Sequence, residues 1–192
     1  LHCLKEAAAF YSEKLSVPEG ENAVKYLQQR KVPKSMWKQF QIGISPDEWQ
    51  GTLNYLQKKN ISLSEMSKTG LIKVSEKSAR HYDTFRGRLM FPVKDVRGRC
   101  IGFGARAMKP EDKPKYLNSP ETSYYRKSQV LYGLHEGLTS IRKKRRLIFV
   151  EDYLDVIRLH ENGFTEAVAP CGTALTQEHL KIALRYADTV IL

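Results

Sequence analysis

The chain has few cysteines and no long apolar run. The three cysteines are Cys3, Cys100 and Cys171, and no two of them form a C-x-x-C pair. Cysteines scattered in this way argue against a zinc site within the chain and are typical of a reducing cytoplasm. No apolar stretch approaches the roughly 20 residues that a membrane-spanning helix needs, and no secretory signal pattern opens the chain. We therefore expect a cytoplasmic protein that contacts no membrane.

Acidic residues are scarce relative to basic ones. Asp and Glu number 21 against 32 Lys and Arg, which gives a formal net charge of +11 over 192 residues. This balance favours polyanionic partners, because contacts to phosphates release counterions. Ribosomal, nucleic-acid-binding and membrane-surface proteins share such an excess, so charge selects only a broad class. The length is enough for one domain or two small ones.

A short apolar run that ends on an acid is the most informative stretch. Residues 147–150 (LIFV) have the composition of a strand buried in a parallel sheet, and residues 153–160 have the pattern of a helix packed against it. Glu151 would then lie at the carboxyl end of the strand, where open α/β sheets bind their ligands. Asp155 would lie one helical turn further on, close enough to share a cation. The pair predicts metal-dependent chemistry.

The remainder of the C-terminal part continues this alternation. Residues 166–169 predict a second strand, residues 177–187 a helix, and residues 189–192 the start of a third strand. The predicted fold is a truncated, doubly wound parallel α/β unit over 142–192, preceded by a mixed α+β part over 1–141. We expect the third strand to lead to the remaining metal ligands beyond Leu192, so that the site is incomplete within the chain.

The first part is predicted to be a helical layer followed by short strands. It opens inside an amphipathic helix, and Ser45-Pro46 with Glu48 form the start signal of a later helix that carries Trp49, Leu53 and Leu56 on one side. Further on, Gly98 predicts a hairpin loop.

Two further patterns in the chain have simple interpretations. Gly102 and Gly104 alternate with Phe103, which predicts the close approach of another backbone or a nucleic-acid strand. The dense basic run 142–146 follows a predicted helix, and we interpret it as a solvated connection between the two parts.

Four separate motifs give the chain a family resemblance. They are residues 85–93 (FRGRLMFPV), 95–106 (DVRGRCIGFGAR), 114–122 (PKYLNSPET) and 131–134 (LYGL). In this order they resemble the basic subdomain of DnaG-type bacterial DNA primases. Residues 147–192 resemble the first half of a Toprim domain, the metal-binding unit of primases, type IA and type II topoisomerases and some nucleases. The resemblance covers essentially the whole chain.

The resemblance implies which residues bind nucleic acid or nucleotides. Positions that match the family's basic groove are Arg30, Arg86, Arg88, Arg106, Lys115, Tyr116, Asn118 and Lys127. Arginine grips phosphate bidentately, and a tyrosine ring stacks on a base. Structural roles stay open for several of them. Arg86 and Arg88 would otherwise form salt bridges, Tyr116 would be a core residue, and Arg30 would be an exposed cation at a helix end.

The implied activity is template-directed synthesis of short RNA primers. A ribonucleotide 3′-hydroxyl attacks the α-phosphate of a nucleoside triphosphate, and pyrophosphate leaves in line. Glu151 and Asp155 would hold Mg²⁺ or Mn²⁺, because hard cations take carboxylate oxygens. The implied partners are a single-stranded DNA template, the RNA primer, nucleoside triphosphates and a replicative helicase that binds another domain. The implied location is the replication fork at the nucleoid.

Two departures from the family pattern limit what the resemblance implies. Asp152 stands where the family usually has Gly, at the turn between strand and helix, where Asp is able to cap the helix or add a carboxylate. The family's Asp-x-Asp motif, expected directly after the third strand, its zinc-binding template domain and its helicase-binding domain are not in this sequence. We therefore expect these 192 residues alone not to polymerise.

Three alternatives stay open at this point. A topoisomerase would need a nucleophilic tyrosine in another domain and would not share the basic half. A plasmid or phage primase would share the chemistry and use a different helicase. A non-catalytic single-stranded-DNA-binding module would tolerate the loss of Glu151, whereas an enzyme would not.

Overall fold

Helices form the first part of the chain, as the periodicity predicts. The computed structural model describes residues 1–192. The helices here are α1 (His2–Lys14), α2 (Glu21–Gln29), α3 (Lys34–Gln39), α4 (Gly51–Lys58) and α5 (Leu63–Lys68), with a 3₁₀ turn at Pro18–Gly20. The inner face of α1 buries Leu4, Ala8 and Tyr11. The Tyr11 ring meets Phe103 edge-on at 5.4 Å, which packs the helical layer onto the sheet that follows.

An antiparallel sheet supports this helical layer. Its strands pair in the order β1 (Gly43–Ile44), β4 (Arg88–Lys94), β5 (Cys100–Ala107) and β6 (Tyr116–Asn118), and a separate hairpin joins β2 (Ile72–Val74) to β3 (His81–Asp83). The connection between β4 and β5 has Gly98 at φ +79°, which confirms the predicted hairpin. The short strand β6 closes one edge of this sheet.

The helix start predicted at Ser45 and Pro46 is wrong. Ser45 is extended and buried, its N–H donates to the Arg88 carbonyl at 2.9 Å, and its hydroxyl accepts from the Arg88 N–H at 3.0 Å. The hydroxyl is therefore not available as a cap. Helix α4 starts five residues after Pro46, and the Asp83 carboxylate accepts from the N–H groups of Thr52 and Leu53 at 2.6 and 3.0 Å.

Because α4 starts late, Trp49 precedes the helix, so the prediction that it shares a helix side with Leu53 and Leu56 is wrong. Trp49 is 67% exposed. Leu53 and Leu56, further along α4, are buried.

A second sheet forms the C-terminal part. It has the order β10 (Thr189–Ile191), β8 (Arg146–Phe149), β9 (Ala167–Pro170) and β7 (Leu131–Tyr132), with helices α6 (Leu134–Lys144), α7 (Tyr153–Glu161) and α8 (Gln177–Ala183). Strand β8 is parallel to both β9 and β10, so the predicted parallel unit is confirmed. Strand β7 pairs antiparallel with β9, although its residues belong to the first predicted part of the chain, residues 1–141. No helix has both the length and the apolarity to cross a membrane.

One hydrophobic cluster spans both sheets. It includes Leu89 and Phe91 of β4, Tyr132 of β7, and Tyr153 and Val156 of α7. The two sheets therefore share a buried interior, and their relative position is fixed by packing.

The basic run 142–146 was predicted to be a solvated connection, but several of its side chains are paired with acids. Lys144 and Arg146 both donate to the carboxylate of Glu166, the former at 2.8 Å, and Arg145 donates to Asp188 at 2.8 Å. The Glu166 side chain is fully buried. Burial alone raises the pKa of this carboxyl group, but the charged hydrogen bonds from Lys144 and Arg146 outweigh burial and lower its pKa to about 2.

We predict that Glu166→Gln lowers the free energy of unfolding at pH 7 by roughly 2–3 kcal/mol, because two cations lose their partner. The folded-state pKa lies below the ordinary value of 4.5, so the stabilisation is present above pH 4.5 and is lost as the pH falls toward 2. Urea unfolding between pH 2.5 and pH 7 measures this. The variant should therefore show a weaker pH dependence than the unchanged chain.

The matched control is Glu178→Gln, because Glu178 pairs with Lys181 on the surface of α8 and its side chain is 46% exposed. It should change the free energy of unfolding by at most a few tenths of a kcal/mol. Equal effects of the two substitutions would contradict the assigned role of the buried pair.

Candidate nucleic-acid and metal site

A pair of carboxylates lies at the carboxyl end of β8. Glu151 follows the strand and is exposed, and Asp155 lies on the first turn of α7 and is also exposed. Partial burial raises the pKa of Asp155, and the negative charges of Asp152 and Glu151 raise it further, whereas the charge of Arg30 lowers it. The predicted carboxylates are thus close enough to influence one another.

The third strand reaches the same edge of the sheet. Strand β10 runs parallel to β8 with Ile191 opposite Ile148, so its carboxyl end lies beside the strand end that Glu151 follows. Leu192 comes directly after β10 and is 84% exposed, and its apolar side chain offers no atom to a metal. The metal ligands expected beyond Leu192 stay a prediction, as does metal binding by Glu151 and Asp155.

Asp152 ties this carboxylate edge to the antiparallel sheet. One carboxylate oxygen accepts from the Leu154 N–H at 3.4 Å as the cap of α7, and the other accepts from the hydroxyl of Tyr116 on β6. Burial and this carboxylate raise the pKa of Tyr116 to about 12. The sequence left Tyr116 either as a ring that stacks on a base or as a core residue. In the structure its ring is half-buried and its hydroxyl is bound to Asp152.

Tyr153 makes a second connection between the same two elements. Its hydroxyl donates to the side-chain oxygen of Asn118 on β6, and its ring stacks on Phe91 with centroids 5.2 Å apart. A β-carbon added at Gly104 would collide with this ring. The group that approaches Gly104 at the position of a β-carbon is therefore an aromatic ring rather than another backbone.

The same correction applies to Gly102. A β-carbon there would lie 2.6 Å from the ring of Tyr125, so this glycine also makes room for an aromatic side chain.

Two of the predicted basic residues, Arg30 and Arg106, lie on the side of the carboxylates, because Arg30 acts on the charge of Asp155 and Arg106 on Tyr116, the partner of Asp152. Arg106 places its guanidinium 4.3 Å from the ring centre of Tyr26, and Arg30 lies 5.4 Å from the same ring. Lys115 is exposed at the start of β6, with its ammonium group 5.7 Å from the Tyr116 ring. The ring of Tyr26 therefore orients two arginines, a role that the sequence did not suggest for this residue.

Arg86 and Arg88 occupy a different place. Both line a cavity of about 320 Å³ on the other side of β6, and neither forms a salt bridge. Arg88 is only 6% exposed, and its guanidinium donates to the carbonyls of Pro114 and Lys113 at 2.7 and 3.4 Å. This guanidinium positions the loop that leads to Lys115.

Lys127 lies in the 3₁₀ turn Lys127–Gln129 and is half-buried. Its carbonyl accepts from the ring of His179 on α8 at 2.8 Å, and its N–H donates to Glu121 at 3.0 Å. The structure thus connects Lys127 with the first turn of α8, the helix that follows β9, and its role in binding nucleic acid stays a prediction.

The chemistry of the carboxylate edge fits a hard divalent cation. Glu151 and Asp155 supply only oxygen donors, which Mg²⁺ prefers, and they are exposed enough for water to complete the coordination. The negative charges that raise the pKa of Asp155 are charges that a cation would offset. The carboxylate of Asp152 is already occupied by Tyr116 and the α7 cap. No group of three or more His, Cys, Asp or Glu side chains is placed to hold a metal.

Comparison with known proteins finds a matching family for each of the two parts of the chain. Residues 10–138 match the family described as "DNA primase catalytic core, N-terminal domain", and residues 145–192 match the Toprim domain. A DNA primase of Synechocystis sp. is 40% identical over 185 residues, which are 95% of this chain and 29% of that protein. The chain thus spans less than a third of the length of this curated relative.

Two solved structures resemble the fold closely. The RNA polymerase domain of Mycobacterium tuberculosis primase DnaG, in complex with a double-stranded DNA oligomer with a 6-nucleotide overhang, has a TM-score of 0.92 and 35% identity over 96% of this chain and 58% of that one. A DnaG primase catalytic domain bound to single-stranded DNA has a TM-score of 0.88 and 35% identity over 98% of this chain and 58% of that one.

The fold and the matched regions define the class as primase catalytic cores that carry a Toprim unit. More particularly, the chain belongs to the family of DnaG-type bacterial DNA primases. The match over residues 10–138 is to the primase core, so the topoisomerase alternative is wrong.

We predict that Gly104→Ala lowers the free energy of unfolding by roughly 1–3 kcal/mol, because its β-carbon meets the fixed ring of Tyr153. The same substitution in a Tyr153→Ala background should cost little, since the ring is no longer there. A double-mutant cycle followed by urea unfolding gives the coupling directly. Equal costs in both backgrounds would show that Tyr153 is not what excludes a side chain at position 104.

Proposed function

We propose that this chain is the part of a DNA primase that brings a single-stranded DNA template and nucleotides to a metal-binding carboxylate edge for RNA primer synthesis. The observation that carries the proposal is the joining of β6 to the start of α7 through Tyr116–Asp152 and Asn118–Tyr153. These contacts hold the strand that begins beside Lys115 against the turn that carries Glu151. A phosphate-binding cation and a metal-binding carboxylate therefore flank one junction.

The basic residues near the carboxylates bind phosphates. Arg106 and Arg30 flank Tyr26, and Lys115 projects from the start of β6, which gives three cations for the backbone of the template or the triphosphate. Asn118 has its side-chain oxygen occupied by Tyr153, so only its amide group is left to donate to a base or sugar. The guanidinium of Arg88 contributes through the loop that it holds in place, and Lys127 adds a further cation for phosphate.

Glu151 and Asp155 would hold Mg²⁺ or Mn²⁺ through their carboxylate oxygens. When bound, the cation offsets the negative charge that develops on the reacting phosphate. Glu151 lies where a strand ends and is free of other side-chain bonds, so it binds the cation or accepts a proton from the attacking hydroxyl through water. Asp152 and Tyr116 keep this edge aligned with β6.

In a complete primase, further parts supply the remaining functions. The zinc implied by the family resemblance belongs to a template-binding domain, and the helicase contact belongs to another domain. The site of action is the replication fork. We propose these roles from the family membership, and no residue of this chain is assigned to them. The division of the chain at 141/142 also remains a prediction, and β7 crosses it.

We predict that Glu151→Gln in a primase core that contains these 192 residues reduces RNA primer synthesis roughly 100-fold or more. Binding of single-stranded DNA should change less than about threefold, because the phosphate-binding cations are untouched. Incorporation of labelled ribonucleotides on single-stranded DNA in Mg²⁺ or Mn²⁺ measures synthesis, and fluorescence anisotropy measures binding.

The control for this experiment is Glu178→Gln, which lies on the surface of α8. It should leave both readouts unchanged. Primer synthesis that survives Glu151→Gln would remove Glu151 from the catalytic site. Salt-sensitive DNA binding without any primer synthesis, in a core with all its domains, would favour the non-catalytic binding module.

A further inference from the structure

A cation on α7 holds the C-terminal end of α2. One guanidinium nitrogen of Arg158, Nη1, donates to the carbonyl of Lys31 at 2.7 Å and to that of Arg30 at 3.2 Å. This nitrogen carries two hydrogens, so both bonds form at once. Arg30 and Lys31 directly follow α2, where helix carbonyls lack backbone partners and the helix dipole favours a positive charge. Arg158 therefore caps α2 from a position 127 residues beyond Lys31.

The turn that Arg158 binds is held from two sides. Lys31 has φ +54°, which bends the chain sharply after the helix. The Val32 carbonyl accepts from the indole N–H of Trp37 at 2.8 Å, so α3 holds the turn on one side. The carbonyls of Arg30 and Lys31 accept no bond from another backbone N–H. Arg158 is therefore the group that fixes the turn on the side of α7.

Arg30 is the functional group that this contact places. Its side chain is exposed, and its guanidinium lies 5.4 Å from the ring centre of Tyr26. Partial burial raises the pKa of Asp155, and the positive charge of Arg30 opposes this, so the two groups are near in space. Asp155 lies three residues before Arg158, and positions three apart share one face of a helix. The face of α7 that presents Asp155 therefore also holds the backbone of Arg30.

The other contact of Arg158 is with an acid on the same helix. Its guanidinium lies 3.5 Å from the carboxylate of Glu161, and the two side chains are 40% and 29% exposed. The charge of Arg158 is therefore shared between Glu161 and the carbonyls at the end of α2. Arg30 takes part in no salt bridge. Of the two arginines, Arg30 is thus the one left to bind phosphate.

We propose that Arg158 is a positioning residue for the carboxylate site: by fixing the end of α2, it places Arg30 to bind a phosphate group of the incoming nucleotide or of the template. A guanidinium grips phosphate bidentately only at a suitable distance and orientation, so small displacements of its backbone weaken the contact. The inference rests on the proposed function, in which Arg30 binds phosphate, and it adds the residue that holds Arg30 in place.

Substitution of Arg158 tests the placement by affinity. In a primase core that contains these 192 residues, Arg158→Ala should weaken binding of at least one phosphate probe roughly 5- to 20-fold. The value of kcat should change less than about threefold, because no reacting group is removed. Anisotropy of N-methylanthraniloyl-ATP measures nucleotide binding, anisotropy of a labelled oligothymidylate measures template binding, and ribonucleotide incorporation gives KM and kcat. Weakening confined to one probe supports the inference and identifies the phosphate that Arg30 binds.

A double-mutant cycle separates the placement of Arg30 from direct binding by Arg158. In an Arg30→Ala background, Arg158→Ala should change the same affinity less than about twofold, because the side chain that Arg158 positions is no longer there. Arg158→Lys should restore part of the affinity lost in Arg158→Ala, since an ammonium group also donates to carbonyls at a helix end.

The matched control is Glu161→Gln, which removes the acid beside Arg158 and leaves the bonds to the α2 carbonyls. It should leave both affinities and kcat unchanged within about twofold. Circular dichroism and urea unfolding of every variant verify that the fold is retained.

Equal loss of affinity on Arg158→Ala with and without Arg30 would show that Arg158 does not act through Arg30, and would overturn the inference. Unchanged affinity for both probes on Arg158→Ala, together with weaker binding on Arg30→Ala, would overturn it as well and leave the proposed function intact. If Arg30→Ala changes neither affinity, the phosphate-binding role of Arg30 in the proposed function fails together with the inference.

Discussion

The ring of Tyr153 lies between Phe91 and Gly104, and its hydroxyl donates to Asn118, so a residue two positions after Glu151 is fixed to the antiparallel sheet. The position of the carboxylate edge relative to β6 depends on this contact, with the bond between Tyr116 and Asp152 alongside it. Without the ring, the shared hydrophobic cluster would lose the side chain that connects β4 to α7. The site is thus assembled by core packing, and its polar contacts complete the alignment.

The C-terminal part could be predicted from sequence because its signals are local. The apolar run before Glu151 and the helix after it are periodic, and a parallel sheet brings strand ends together by topology. The start of α4 could not be predicted in this way. Ser45 and Pro46 have the local pattern of a cap, but Ser45 bonds to Arg88 and the cap comes from Asp83, 31 residues from Thr52. Such a remote acceptor leaves no pattern near the helix.

The candidate site shows the same limit. Its residue types were predictable from motifs, whereas their grouping was not, because strand β6 separates Arg86 and Arg88 from the carboxylates. Tyr26 lies one helical turn before Arg30 but far in sequence from Arg106, and its ring contacts both guanidinium groups. Net charge is a similarly incomplete guide. Part of the basic run 142–146 is taken up by Glu166 and Asp188, so the cations available to a polyanion are fewer than the formal charge of +11 suggests.

Strand β7 delays the burial of apolar surface during synthesis on the ribosome. Leu131 and Tyr132 pair with Pro170 and Ala169, so they must wait for residues 169 and 170 to emerge. Both side chains are buried at 2% exposure in the finished fold. Tyr132 has the rings of Phe40 and Phe91 to pack on beforehand, whereas Leu131 belongs to a cluster with Leu147, Phe149 and Val168 and remains apolar surface until these emerge. Such surface is what chaperones recognise and what favours misassembly. The first part of the chain therefore completes its own burial only after most of the second sheet has been made.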